Sequence, residues 1–327
     1  MPATPPPPLD RIFVSIASYC DPLLPFTLRS AISQASRPGR LAFGIVEQHL
    51  PGQAFQTPAD WACGPRWLRL PAEQSRGACW ARALAMTLYQ GEAWYLQVDS
   101  HTWFEPGWDE SLILAAQRCA ALNPRSLLSC YPNPFRMVDG QPRAQLVSSS
   151  VLAHVVKQDQ AFAPDHPVLL FECVPVHSSE PVAALHLAAG ALFGPGQLVE
   201  ELPYDPQLFF HGEEQAYALR AWTRGWDIFH VPRMPLYHLY TEPGQNPRPM
   251  HWHAEHDAWR TAQRQANSVQ LTQHAHRRLA ALLWEGAELG AYGLGRARTL
   301  ADYAAFSGID YAARKIEPRA TKARFGY

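Results

Sequence analysis

The apolar run Ala93-Trp94-Tyr95-Leu96-Gln97-Val98 stops abruptly at Asp99-Ser100-His101, and this unit constrains the chain more than any other stretch. Ahead of it, Arg76 to Tyr89 places Ala78, Ala81, Leu84, Ala85 and Leu88 at helical spacing, with Gly91 positioned to stop the helix. After it, Trp108 to Leu122 reads as an amphipathic helix and Leu127 to Cys130 as a strand. Upstream, Ile12 to Ala17 is a short β-branched run suited to burial on both faces, residues 25–35 read as a helix after Pro25, and Leu41–Val46 and Trp67–Leu70 read as strands. Strands alternating with helices predict an α/β sheet. Ligands of such sheets bind beyond the carboxyl ends of the strands, which is where Asp99-Ser100-His101 lies.

Periodicity is weaker beyond residue 130. Residues 131–190, rich in Pro, Ser and His, read as loops and irregular hairpins. It returns with Leu192-Phe193, a strand at Leu208-Phe209-Phe210, a helix from Glu213 to Arg224, a strand at Trp226–Val231 and the short run Leu236–Tyr240. From about His253 the chain reads mainly as helices, including Thr299 to Phe306. The expected organisation is a Pro-rich leader without regular structure over residues 1–10, a catalytic domain over 11–250 and a helical region over 251–327 packed against it. Within the 327 residues, 28 Lys+Arg against 29 Asp+Glu leave a formal net charge of −1, which supplies no basic field for nucleic acid. Six scattered cysteines without a CxxC pair predict reduced thiols, and the absence of an apolar stretch of about 18 residues or of a signal-peptide pattern predicts a cytoplasmic protein without a membrane span.

Asp99 and His101 alternate in an extended segment, so both can reach one ion, a hard oxygen and an imidazole nitrogen suiting Mn²⁺ or Mg²⁺. The plain alternative is a capping aspartate beside an ordinary loop histidine. Tyr237-His238-Leu239-Tyr240 puts a third candidate ligand, His238, after a strand. Phe209-Phe210-His211-Gly212-Glu213-Glu214 opens a helix with two adjacent carboxylates, of which capping alone explains one. Ser75-Arg76-Gly77-Ala78-Cys79-Trp80-Ala81-Arg82 opens a helix with a glycine and two arginines, a pattern suited to a diphosphate, though surface arginines are the bland reading.

Taken in order, these segments resemble the GT-A-fold glycosyltransferases that add N-acetylglucosamine to polypeptide hydroxyproline. The resemblance rests on IFVSIASYCDP at residues 12–22, SRGACWAR at 75–82, YLQVDSH at 95–101 with Trp108-Asp109, PYDPQLFFHGEE at 203–214, WTRGWDIF at 222–229, YHLY at 237–240 and YGLGRARTLADYAAFSGID at 292–310. The helix-then-DSH unit and the downstream Gly-Glu are more broadly similar to polypeptide GalNAc transferases. Cys20, where the family leads one to expect arginine, and the 131–190 stretch depart from the pattern.

The resemblance implies a retaining transferase that takes a UDP-sugar, most readily UDP-GlcNAc, and acts on a hydroxyl of a polypeptide, hydroxyproline or Ser/Thr. It implies a metal held by Asp99, His101 and His238. Ser18, Tyr19, Asp21 and Glu47 become candidates for uridine and ribose, and Arg76 and Arg82 for the diphosphate or for orienting Asp99, with Arg82 preferred. Glu213 and Glu214 are expected to face sugar and acceptor as the catalytic carboxylates. Competing readings are a same-fold transferase acting on a glycan, a small molecule or a ribosomally made peptide, a metal-dependent hydrolase, and a UDP-sugar binder without turnover.

Overall fold

The computed structural model describes residues 10–56, 64–145, 150–241 and 248–323, so all but Asp10 of the expected leader lies outside the described residues. Its centre is an eight-stranded sheet in the order Val182–Ala184, Asp227–His230, Ser126–Ser129, Ala191–Pro195, Trp94–Asp99, Ile12–Tyr19, Leu41–His49, Arg66–Pro71. The last four strands run parallel, with Ala17 beside Asp99 and Ser18 beside Glu47, so their carboxyl ends form one edge. Ala191–Pro195 is antiparallel to Trp94–Asp99 and starts from that edge, Ala191 opposite Val98. Ile12, Phe13, Val14 and Ile16 are completely buried, as expected for a parallel strand covered on both faces.

The helices start where the local chemistry permits. Leu24–Gln34 has Pro25 in its first turn, where no intrahelical N–H is needed. Ala78–Met86 begins at Gly77, whose φ of +98° and whose approach to Phe209, 2.5 Å from a notional Cβ to the backbone oxygen, exclude a side chain. Trp108–Leu122 matches the predicted span and carries Asp109 and Glu110 in its first turn. Asp109 is fully buried and accepts the N–H groups of Ser36 and Arg37 at 2.7 and 3.1 Å, so its part in the Trp108-Asp109 motif is to tie this helix to the preceding loop.

Residues 131–190 hold paired strands among loops, in keeping with the expected hairpins: Asn133–Val138 forms a hairpin with Gln141–Ala144, Val151–Val156 pairs antiparallel with Phe171–Val176, and Val182–Ala184 edges the main sheet. One expectation is corrected. Leu208-Phe209-Phe210 is not a strand, because Asp205–Gln207 turns the chain and Leu208 and Phe209 are buried against the core without a β partner. The C-terminal helices Ser268–Trp284 and Leu300–Ser307 contribute Leu279, Leu283, Tyr303 and Phe306 to the same core cluster as Ile16 and Leu96. Tyr303 also donates its hydroxyl to the Leu185 carbonyl at 2.8 Å, pinning the segment that leads to the sheet edge. No helix among the described residues is long and apolar enough to cross a membrane.

Candidate active site

Asp99 is the last residue of its strand, and Ser100-His101 turn immediately after it, so the two side chains converge through a turn rather than by the alternation expected from sequence. His238 ends the strand Leu236–His238, which pairs antiparallel with Thr102–Phe104 and sets His238 opposite Thr102. That pairing carries His238 across 137 residues of chain to His101, Nε2 to Nε2 at 2.9 Å, while His238 Nε2 lies 3.1 Å and His101 Nε2 3.9 Å from Asp99 Oδ2. Gly190 leaves the space: a Cβ there would stand 2.8 Å from Asp99 Oδ2.

A second layer fixes this triad. Asp21 Oδ2 faces His101 Nδ1 at 2.7 Å and accepts from Ser100 Oγ at 2.7 Å, and Oδ1 accepts the Leu23 N–H at 2.9 Å. With its Nδ1 proton directed to Asp21, His101 presents a lone pair on Nε2. Burial alone would raise the Asp21 pKa, but the bonds from His101 and Ser100 outweigh it and hold it below the usual range. Asp99 likewise has a burial penalty that is overcome by the His238 bond and the Arg82 charge, leaving it well below the usual range. Burial lowers His238 to about 4, so its imidazole is neutral. One carboxylate and two imidazoles, two of the three donor pairs about 3 Å apart, match neighbouring ligands on one divalent ion. These residues fit the metal that the sequence motif suggested.

Arg82 joins the triad to the second acidic pair. Its Nη2 donates to Asp99 Oδ1 at 2.9 Å, and its Nη1 donates to Glu213 Oε1, whose other oxygen accepts from the Cys79 thiol at 2.8 Å. Burial pushes the Glu213 carboxyl up against the pull of Arg82. Both oxygens of Glu213 are therefore engaged, and the residue is 5% exposed. Glu214 differs: it accepts the Ala189 N–H at 2.6 Å and leaves 40% of its side chain exposed toward a cleft.

Two clefts meet at Arg82, Asp99 and Phe210. Tyr19, Gln48, His101, Arg248 and His251 help to line the first. Tyr131, Phe171, His186 and Glu214 help to line the second. Of the residues singled out from sequence, Asp21, Arg82, Asp99, His101 and His238 are brought together, with Tyr19 across the first cleft. Ser18 and Glu47 line a smaller adjoining hollow, where Glu47 is already engaged by the Phe55 N–H at 2.6 Å and by Arg69 at 3.2 Å. Arg76 is exposed and lines neither cleft. Sequence reasoning missed Arg248 and His251. Arg248 Nε and Nη1 and His251 Nε2 are buried without a hydrogen-bond partner among the described residues, two guanidinium donors and an imidazole nitrogen left for something in the cleft.

The architecture is that of the GT-A glycosyltransferases. The chain superposes on GalNAc-T7, a structure containing UDP, GalNAc and Mn²⁺, with a TM-score of 0.60 at 16% identity over 84% of this chain and 49% of that one. It thus spans about half the length of that relative. Staphylococcus aureus TarS residues 1–349 align at a TM-score of 0.45 and 13% identity, covering 70% of this chain and 60% of that one. A family model described as Glycosyltransferase (GlcNAc) matches residues 11–63 and 53–313, so the chain belongs to that glycosyltransferase family. No curated protein sequence matches it.

Proposed function

We propose that the protein is a metal-dependent, retaining glycosyltransferase that moves GlcNAc from UDP-GlcNAc to a hydroxyl of a polypeptide, hydroxyproline or Ser/Thr. The observation that carries this reading is the convergence of Asp99, His101 and His238 at the junction of a cleft bearing Arg248 and His251 and a cleft bearing Glu214. Mn²⁺ or Mg²⁺ held by the triad supplies Lewis-acid neutralisation of a leaving diphosphate. Arg248 and His251 give that diphosphate hydrogen-bond donors, and Tyr19 and Gln48 bound the nucleoside side of the same cleft. Arg82 holds Asp99 in place, with Glu213 fixing Arg82, so Glu213 positions and Glu214 meets the sugar. Asp21 serves as the orienting partner of His101.

Because Glu213 is enclosed, it is not free to attack the anomeric carbon. Front-face attack, in which the acceptor oxygen bonds to that carbon as the C–O bond to the diphosphate breaks and the departing phosphate oxygen takes the acceptor proton, requires no protein nucleophile and retains configuration. The test is incubation with UDP-GlcNAc, Mn²⁺ and peptides containing hydroxyproline, serine or threonine. Peptide carrying one N-acetylhexosamine by mass spectrometry, with the α-anomer of the donor preserved by NMR, supports the reading. Transfer to a glycan but to none of the peptides replaces the polypeptide acceptor and leaves the donor assignment standing.

A further inference from the structure

The second cleft has a wall that the reaction scheme leaves unused. His186 is 3% exposed and lies face to face on Phe171, ring centroids 3.6 Å apart and planes 7° from parallel, so its ring orientation is fixed. Its Nε2 edge faces Glu214 Oε2 at 3.6 Å, while Glu214 Oε1 accepts the Ala189 N–H. Both contacts to Glu214 come from one short segment, and that segment is held from behind. Ser129 Oγ accepts the Ala188 N–H at 2.7 Å, Gln97 donates to the Ala189 carbonyl at 2.7 Å, and Tyr303 holds Leu185. His154 packs edge-on against His186 at 5.6 Å and against His230 at 4.7 Å, filling the space into which the His186 ring would otherwise swing.

We propose that His186 is a positioning residue that holds Glu214 toward the second cleft and thereby sets how strongly the sugar, as distinct from the nucleotide, is bound. The proposal rests on the reading of Glu214 as the sugar-facing carboxylate. A half-buried carboxylate in the first turn of a helix can sample several rotamers, and the Ala189 hydrogen bond together with the adjacent His186 edge favours one. The 3.6 Å separation is longer than a hydrogen bond, and contacts of this kind tighten when a ligand occupies the site. His186 and Glu214 line the second cleft and not the first, so the effect is confined to the sugar.

Calorimetric titration of UDP and of UDP-GlcNAc in Mn²⁺, on wild type, His186→Phe, His186→Gln, Glu214→Ala and the double variant His186→Phe/Glu214→Ala, tests this. The expected result is UDP affinity unchanged within about twofold throughout, and a loss of about tenfold in UDP-GlcNAc affinity for His186→Phe, equal to about 1.4 kcal/mol. His186→Gln, which offers an N–H in place of Nε2, should recover most of the loss, and His186→Phe should add nothing once Glu214 is alanine. If His186→Phe does not fold, His186→Asn, too short to reach Glu214, takes its place against His186→Gln. Equal weakening of UDP and UDP-GlcNAc, or additive losses in the double variant, overturns the proposal. Wild type that fails to bind UDP overturns the donor reading and this proposal with it, whereas UDP binding with an indifferent His186 variant overturns the proposal alone.

Discussion

Arg82 reaches Asp99 Oδ1 at 2.9 Å with one arm of its guanidinium while the other arm is bound to Glu213, so one buried cation serves two carboxylates that are far apart in sequence. Removing it strands both. Arg82→Met should lose roughly 3–5 kcal/mol of stability in urea denaturation at pH 7. Arg82→Met/Glu213→Met should recover part of this, because one uncompensated charge goes with it; a double variant less stable than the single one contradicts the account.

Of the three proposed metal ligands, Asp21 touches His101. Asp21→Asn is therefore expected to weaken Mn²⁺ binding by about 10–100-fold, measured by electron paramagnetic resonance of free Mn²⁺, with Asp99→Ala costing more. Unchanged Mn²⁺ affinity in Asp21→Asn removes its orienting role. Chelation of the metal should abolish UDP release, restored on adding Mn²⁺ back.

The nitrogens of Arg248 and His251 that lack partners among the described residues predict further contacts to the proposed nucleotide. Arg248→Ala and His251→Ala should each weaken UDP by about tenfold or more, the scale of a hydrogen bond to a charged group. Wild type should be stabilised thermally by UDP with Mn²⁺ far more than by GDP. Equal shifts for UDP and GDP contradict the uridine assignment.

His230 accepts the His154 N–H on Nε2 at 3.0 Å, so its proton sits on Nδ1 and points at the Ser129 carbonyl. Burial lowers its pKa from 6.5 to about 4. The unfolded chain therefore binds a proton near pH 6.5 that the folded chain refuses until about pH 4, and stability present above 6.5 is lost as pH falls through this window. The loss from this residue is about 3 kcal/mol, with His154, also depressed by burial, adding in the same direction. Denaturation at pH 7 and pH 4.5 should show the difference, reduced in His230→Gln.

The parallel half of the sheet was legible because its strands are apolar on both faces, as in Ile12–Tyr19, and because Trp108–Leu122 combines an amphipathic stripe with an acidic first turn. Leu208-Phe209-Phe210 misled because three consecutive apolar residues read the same in a buried loop as in a strand. The 133–144 hairpin had a usable signal in Asp139-Gly140, whose φ values of 50° and 72° are those of a tight hairpin turn. Asp99, His101 and His238 could be singled out as candidates from their places at strand ends. The service of Asp21 to His101 could not, since it depends on two turns meeting in space, and Arg248, His251 and His186 sit where the sequence has no local periodicity to mark them.

The absent side chain at Gly190 offers a practical handle. Asp99 Oδ2 occupies the place a methyl group would need, and because Arg82 and His238 pin that carboxylate, it has little room to yield. Gly190→Ala would set a methyl group against that oxygen and crowd the proposed metal position by steric means, without changing charge. Because Gly190 lies beside Asp99 on the wall of the second cleft, a single methyl group there is expected to lower Mn²⁺ affinity while leaving the first cleft, with Arg248 and His251, to bind UDP.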